Sequence, residues 1–179
     1  HLDAEQVIAR ISPEKDVDCM NPATLAGIFE PSEGFKTPCT PQAVIEMLRY
    51  YDIEMTGKKV AVLGRSSVIG KPVALLLLNE NATVTICHSK TADLRETVRE
   101  ADIVISAMGR AKMIDGSYIR EGATLIDVGI NTDEDGKLCG DADFESAEKV
   151  AGAISPVPGG VGSVTTTILA KNLLSGISE

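Results

Sequence analysis

The sequence contains no tryptophan, and aromatic residues make up only 3% of it. Stacking platforms for single-stranded nucleic acid are therefore not expected. Basic clusters are also missing. Lys and Arg number 17 against 26 Asp and Glu, so the net charge is −9. Phosphate backbones need a basic stripe, and this balance argues against DNA or RNA as a partner. The bland account of such charge, a solvated cytosolic surface, is preferred. Long apolar runs are absent too: the longest, residues 73–78, is far shorter than a bilayer span. No basic-then-apolar leader opens the chain, and the first residue is His1 rather than Met, which suggests a processed or trimmed chain. A cytoplasmic location without membrane contact is expected.

Cys19, Cys39, Cys87 and Cys139 form no C-x-x-C pair, and His1 and His88 are the only histidines. Zinc-ligand spacing is lacking, so no metal site is expected. Cys87 lies in an apolar run and reads as a small buried hydrophobe. Free thiols in a chain without a leader fit a reducing compartment.

What is present is ordinary globular material. The 179 residues are 44% hydrophobic and 24% charged. This is enough for one domain, or one domain and a fragment of a second. Residues 2–11 carry an amphipathic helical pattern ending near Ser12-Pro13. Residues 16–40 are irregular and proline-rich, which reads as a domain junction or the wall of a site. A helix is expected over 41–51, with Thr40 as N-cap and Pro41 as first helical residue. The chain then alternates. Strands are expected at 59–64, 82–87, 102–107 and 123–128, with a short one within 150–155. Helices are expected at 72–79, 91–101 and 165–174, the last stopping near Gly176. Asp133 to Gly136 reads as a turn. Short β-branched strands alternating with helices predict an α/β fold, a Rossmann-like doubly wound parallel sheet. Ligands of such sheets sit at the carboxyl ends of the strands.

The loops at those ends carry the chemistry. The first is Gly64-Arg65-Ser66-Ser67-Val68-Ile69-Gly70-Lys71-Pro72. It breaks both the strict dinucleotide fingerprint and the P-loop pattern. It keeps the mechanism: a tight turn with little side-chain bulk brings backbone N–H groups and a helix N-terminus near a pyrophosphate. A plain turn is the alternative. The second strand ends in Cys87-His88-Ser89-Lys90-Thr91, without the acid that holds the ribose of NAD. Arg65, His88, Ser89 and Lys90 instead offer donors and positive charge for a 2′-phosphate. NADP is therefore the preferred cofactor, although His88 alone could be a surface imidazole. Gly109 and Gly129, just past the third and fourth strands, would admit a flat ring or ribose close to the backbone. The loop Ser155-Pro156-Val157-Pro158-Gly159-Gly160-Val161-Gly162-Ser163 reads as a shaped wall poor in side chains.

Taken together, these segments resemble the bifunctional methylenetetrahydrofolate dehydrogenase/methenyltetrahydrofolate cyclohydrolase family. The resemblance is carried by D-V-D at 16–18, T-P-C-T-P at 37–41, G-R-S-S-V-I-G-K-P at 64–72 and A-T-V-T-I-C-H-S-K-T at 82–91. A-D-I-V-I-S-A-M-G at 101–109, I-D-V-G-I-N at 126–131, G-D-A-D-F at 140–144 and S-P-V-P-G-G-V-G at 155–162 complete it. They run through nearly the whole chain in family order. The resemblance implies one-carbon folate metabolism, which supports purine biosynthesis. NADP⁺ would take hydride from 5,10-methylenetetrahydrofolate, and water would open the methenyl product to 10-formyltetrahydrofolate. It implies cofactor contacts at Gly64, Arg65, Ser66, Ser89 and Ile130, with His88 near the 2′-phosphate; Gly109 and Gly129 are added from their place past the strand ends, where a plain glycine turn is the equal alternative. Asp18 would bind the folate pterin, and Pro158, Gly159, Gly160, Val161 and Gly162 would line the folate and nicotinamide pocket. It also implies a homodimer, and three parts. Residues 1–40 would be a remnant of an N-terminal α/β domain, 41–162 the NADP-binding domain, and 163–179 a helix returning toward the N-terminal part.

The chain departs from the family pattern in places. The family's catalytic lysine sits in a Tyr-x-x-x-Lys motif, and no tyrosine here, at 50, 51 or 118, is followed four residues later by lysine. No catalytic residue is therefore assigned, neither Lys71 nor Lys112 is promoted to replace it, and the chain alone is expected to lack cyclohydrolase activity. Cys19 stands where the family has glycine after the Asp18 equivalent, and a positive φ there would strain it. Ser163 replaces a proline and is expected to cap the last helix. A non-catalytic NADP-binding or assembly module is the alternative function. An unrelated shikimate-type dehydrogenase is a third.

Overall fold

A computed structural model describes residues 3–30 and 35–175 of the chain. The elements in order are α1 (Ala4–Ile8), α2 (Pro22–Leu25), α3 (Cys39–Tyr50), β1 (Lys59–Leu63), α4 (Gly70–Asn79), β2 (Thr83–Cys87), α5 (Leu94–Arg99), β3 (Ile103–Ser106), β4 (Thr124–Asp127), β5 (Asn131–Thr132), β6 (Leu138–Cys139), α6 (Phe144–Ala147), β7 (Ala153–Ile154) and α7 (Val161–Ser175). Five strands form one parallel sheet in the order β2-β1-β3-β4-β7. The expected doubly wound sheet is therefore present.

Strand periodicity explains the two cores. Val60 and Val62 point to one face of the sheet with Ile103, Ile105 and Ile126. There they meet Val44 and Leu48 of α3, Val73 and Leu77 of α4, and Ile168 of α7. Ala61, Leu63, Val104 and Leu125 point to the other face, against Val98, Ile114, Ile119 and Ala147. Side chains alternate because successive Cβ atoms lie on opposite faces. Both faces are covered, so these strands read as continuous β-branched runs. Each fully buried Leu, Ile or Val contributes roughly 2 kcal/mol.

Several boundaries differ from expectation. Helix α3 begins at Cys39 with Pro38 in the capping position, not Thr40. Its first N–H is taken by a distant side chain: Cys39 N donates to Asp18 Oδ1 at 2.9 Å. Helix α5 starts only at Leu94, because Asp93 before it has φ 47° and Thr91 is held to His88. Helix α7 begins at Val161, so Ser163 lies inside the helix and caps nothing. The division expected at 162/163 therefore falls within a helix. The expected helix over 2–11 is only the short α1 followed by a turn. Gly176, the expected stop, lies outside the described residues. The Asp133–Gly136 turn is present, closing an antiparallel hairpin of β5 and β6 that the sequence reading lacked.

The 16–30 segment is knit rather than loose. The buried Asp16 carboxylate accepts from Met20 N at 3.0 Å, from Asn21 N at 2.8 Å and from the Thr24 hydroxyl. Burial raises the Asp16 carboxyl, but these bonds outweigh it and hold the group below its ordinary value. Helix α7 then closes the structure against α3. Asn172 Nδ2 donates to Val17 O at 2.9 Å and Thr37 O at 3.3 Å, tying the last helix to the first segment.

Candidate functional site

In a sheet ordered β2-β1-β3-β4-β7 the winding reverses between β1 and β3. A ligand crevice opens outside the carboxyl ends of those strands. The loops after β1 and β3 meet there. Gly64 has φ +124°, and a side chain on it would overlap the Ala107 carbonyl oxygen. Gly70 presses in the same way on the Gly64 carbonyl, so helix α4 packs tightly on its strand. The loop is thus a cradle that a Cβ would fill.

Ser66 organises the start of α4. Its Oγ accepts from Ile69 N at 3.1 Å and Gly70 N at 3.3 Å, and its carbonyl accepts from Lys71 N at 3.0 Å. The first-turn N–H groups expected to face a pyrophosphate are therefore taken by Ser66. A hydroxyl has two acceptor lone pairs and one proton. Both lone pairs are used here, so Ser66 can meet an anion as a donor.

On the β2 side, His88 N donates to Thr91 Oγ1 at 2.8 Å and His88 Nδ1 accepts from Lys90 N at 3.1 Å. An accepting Nδ1 assigns the proton of the neutral ring to Nε2, which makes that nitrogen a donor. Arg65, Ser89 and Lys90 are exposed around it. Donors and positive charge gather at the ends of β1 and β2, and the carboxylate typical of an NAD ribose site is absent there.

Gly109, after β3, has φ +66° with open space beyond its Cα. Gly129, after β4, is more tightly packed. A side chain on it would collide with the Asp141 carboxylate. Its missing side chain makes room for Asp141. The neighbouring Ile130 is 70% exposed. Residues 127–130, Leu138 and the 156–163 loop line one cleft of about 170 Å³. The structure thus brings Gly129 and Ile130 together with Pro158, Gly159, Gly160, Val161 and Gly162. The base of that loop is fixed: Asp127 N donates to Ser155 Oγ at 2.8 Å.

Asp18 lies elsewhere. It lines a second cleft, of about 430 Å³, with Cys19, Thr40, Pro41, Ser67 and Val68. One of its oxygens already caps α3. Cys19 beside it has φ 51°, so the strain expected of a non-glycine residue is present. Cys19 is buried, and its thiol donates to Lys36 O at 2.8 Å. Burial, with Asp16 and Asp18 adding negative charge, pushes that thiol up to about 12.

Sequence reading missed two residues of this region, Asp127 and Asp141. Both are buried, at 3% and 0% exposure. Asp127 accepts from Gly129 N, Asp141 N and Ala142 N at 2.9, 3.1 and 2.7 Å. Burial pushes its carboxyl above the ordinary value despite those bonds. An aspartate set between glycine and alanine, in G-D-A, was the available signal. Among the described residues no group of His, Cys, Asp and Glu could hold a metal ion, and no helix is long and apolar enough to cross a membrane.

The sequence profile described as "Tetrahydrofolate dehydrogenase/cyclohydrolase, NAD(P)-binding domain" matches residues 38–179. The chain belongs to this family. The bifunctional protein FolD of Clostridioides difficile is 54% identical over 174 residues, covering 97% of this chain and 61% of that protein. Among solved structures, the Campylobacter jejuni FolD methylenetetrahydrofolate dehydrogenase/cyclohydrolase superposes with a TM-score of 0.94 at 38% identity, covering 99% of this chain and 64% of that one. A Trypanosoma brucei FolD complexed with NADP cofactor and inhibitor gives 0.93 at 43% identity, covering 99% and 63%. The chain therefore spans less than two thirds of the length of these relatives. The shikimate 5-dehydrogenase of Thermus thermophilus, at a TM-score of 0.54 and 16% identity, shares the fold alone.

Proposed function

We propose that this chain is the NADP-binding portion of a bifunctional methylenetetrahydrofolate dehydrogenase/methenyltetrahydrofolate cyclohydrolase. The observation that carries the reading is the crevice between the β1 and β3 loops, flanked by Arg65 just past β1 and by the Nε2 donor of His88 and Ser89 just past β2. These residues fit a 2′-phosphorylated dinucleotide: a bare backbone cradle at Gly64, positive charge beside it, and no competing carboxylate. Arg65, His88 and Ser89 would hold the 2′-phosphate, and Ser66 would donate to the pyrophosphate. Gly109 and Ile130 would border the far half of the cofactor, with Gly129 supporting them from behind. The 158–162 loop would form the wall against which ring and folate lie, and Asp18 would take the pterin from the second cleft. NADP⁺, when bound, supplies the hydride acceptor. The chain's own contribution is placement, holding two reactants so that their reaction becomes effectively unimolecular.

In this reading residues 1–40 belong with an N-terminal substrate domain, the sheet through the 155–160 loop is the cofactor domain, and α7 returns toward the first. The whole enzyme would work in the cytoplasm, in one-carbon metabolism that feeds purine biosynthesis. A homodimer is favoured by β2, an edge strand on which Thr83, Thr85 and Ile86 are exposed. Such an edge can pair with a second copy.

Calorimetric titration of the chain with NADP⁺ and NAD⁺ tests the reading. NADP⁺ should bind the more tightly. Charge-assisted hydrogen bonds contribute about 1.5–3 kcal/mol, so Arg65→Ala should weaken NADP⁺ by roughly 10- to 100-fold and leave NAD⁺ unchanged. Equal binding of the two nucleotides, unaffected by Arg65→Ala, would refute it.

A further inference from the structure

The segment G-D-A-D at 140–143 helps carry the family resemblance, yet no function was attached to it. Its second residue, Asp141, is wholly buried at the end of the β5–β6 hairpin. None of the ion pairs among the described residues involves it. Its charge is met by five donors instead. Oδ2 accepts from Ser106 Oγ at 3.1 Å, Met108 N at 2.6 Å and Gly109 N at 3.3 Å. Oδ1 accepts from Arg110 N at 2.9 Å and Asn131 Nδ2 at 2.8 Å.

These donors come from two places. Four lie at the carboxyl end of β3 and in the loop that follows, and one lies just past β4. A carboxylate buried without a cation is tolerable only when its lone pairs are satisfied. Here that requirement forces three successive amides, 108 to 110, to converge on one side chain. The Asp141 backbone is fixed in turn, since its N–H donates to Asp127 Oδ1. Gly129 lets the β4 loop close over the carboxylate. The two loops gathered in this way are those of Gly109 and Ile130, on the side of the crevice away from Arg65, His88 and Ser89.

We infer that Asp141 is a positioning residue: one buried carboxylate sets the spacing of the β3 and β4 loops, and so shapes the half of the cofactor site remote from the 2′-phosphate. The inference rests on the NADP reading above. Asp141 touches no reacting atom. It acts through the amides of Met108, Gly109 and Arg110 and through Asn131. Asparagine at this position would place an amide N–H₂ against backbone N–H groups of residues 108–110, which can only donate, so the loops would part while the sheet beneath them remained.

The test uses the 179-residue chain and two measurements. The first is amide hydrogen exchange without nucleotide. Asp141→Asn should speed exchange at 108–110 at least tenfold and leave the β1 and β3 amides unchanged. The second is calorimetric binding of NADP⁺ and of adenosine 2′,5′-bisphosphate, which carries only the adenosine half. NADP⁺ affinity should fall tenfold or more, while bisphosphate affinity stays within about twofold. Asn131→Ala removes one donor of the five and offers a milder variant where Asp141→Asn fails to fold. It should show the same split at roughly threefold. Unchanged exchange at 108–110, or equal loss of both nucleotides, would overturn the positioning role. A wild-type chain that binds neither nucleotide would instead overturn the cofactor reading.

Discussion

Replacing Gly64 with alanine is the sharpest check on the crevice, because the cost can be worked from two separable effects. The first is conformational. At φ +124° an L-residue lies outside its allowed regions, at a cost of about 1–3 kcal/mol. The second is steric. The new methyl would overlap the Ala107 carbonyl oxygen, so the β1 and β3 loops would have to separate by about 1 Å to reach ordinary carbon–oxygen contact. Overpacking of this kind costs about 1–3 kcal/mol. Their sum, near 4 kcal/mol, falls to about 3 kcal/mol once the lost freedom of the unfolded chain is taken off, still a large share of a total stability of about 5–15 kcal/mol. Gly57 provides the control. It has φ +73° but open space around it, so Gly57→Ala carries only the conformational effect. That effect is about 1–2 kcal/mol, partly offset by about 0.4–1 kcal/mol of lost freedom in the unfolded chain. Urea unfolding of the three proteins should give losses of about 3 and about 1 kcal/mol. In thermal melts these become shifts of about 9 °C and about 3 °C, at about 2–4 °C per kcal/mol. Losses equal within about 0.5 kcal/mol would mean that the two loops do not touch, and the crevice argument would fail with them.

Asp16 should make stability pH-dependent. Its carboxyl is held below the ordinary value in the fold, so its contribution is complete above about pH 4 and fades as pH falls through the lowered value. Asp16→Asn should cost about 2 kcal/mol at neutral pH, a difference that shrinks toward pH 2; a gap independent of pH in urea unfolding would refute this. Cys19 and Cys39 should resist alkylation, since burial pushes both thiols up to about 12. At pH 8 only about one in ten thousand is then thiolate, and mass spectrometry after iodoacetamide should find both labelled only in denaturant. Native labelling at the denatured rate would show that the 16–40 segment is open.

The sheet was legible because its strands are buried on both faces. Val60 to Leu63 and Ile103 to Ser106 are continuous runs with turn residues beyond them, and local pattern suffices for such strands. The helix starts were less legible because their determinants are not local. Helix α3 begins where it does because Asp18, 21 residues upstream, accepts its first N–H. Pattern around Thr40 and Pro41 could not reveal that. The small residues of the 64–72 turn and the donors at 87–91 were legible as residue chemistry, and the structure sets them side by side at the ends of β1 and β2. Asp141 did not follow, because an aspartate in a sequence reads as surface. Only the meeting of two loops and a hairpin shows five donors waiting for it. The packing of Gly129 against Asp141 was hidden for the same reason, since what fills the space beside it is a residue twelve positions away.

The pairing of glycines with buried aspartates has a consequence for how this region can change. Gly129 makes room for the Asp141 carboxylate and Gly140 for that of Asp127, and the Asp141 N–H is bonded to Asp127. Exchange of any one member loads the others. A larger residue at 129 or 140 collides with a carboxylate, and a neutral residue at 127 or 141 strands amides that have no other acceptor. Substitutions at the four positions should therefore be strongly non-additive, and a redesign of these loops has to choose all four letters together.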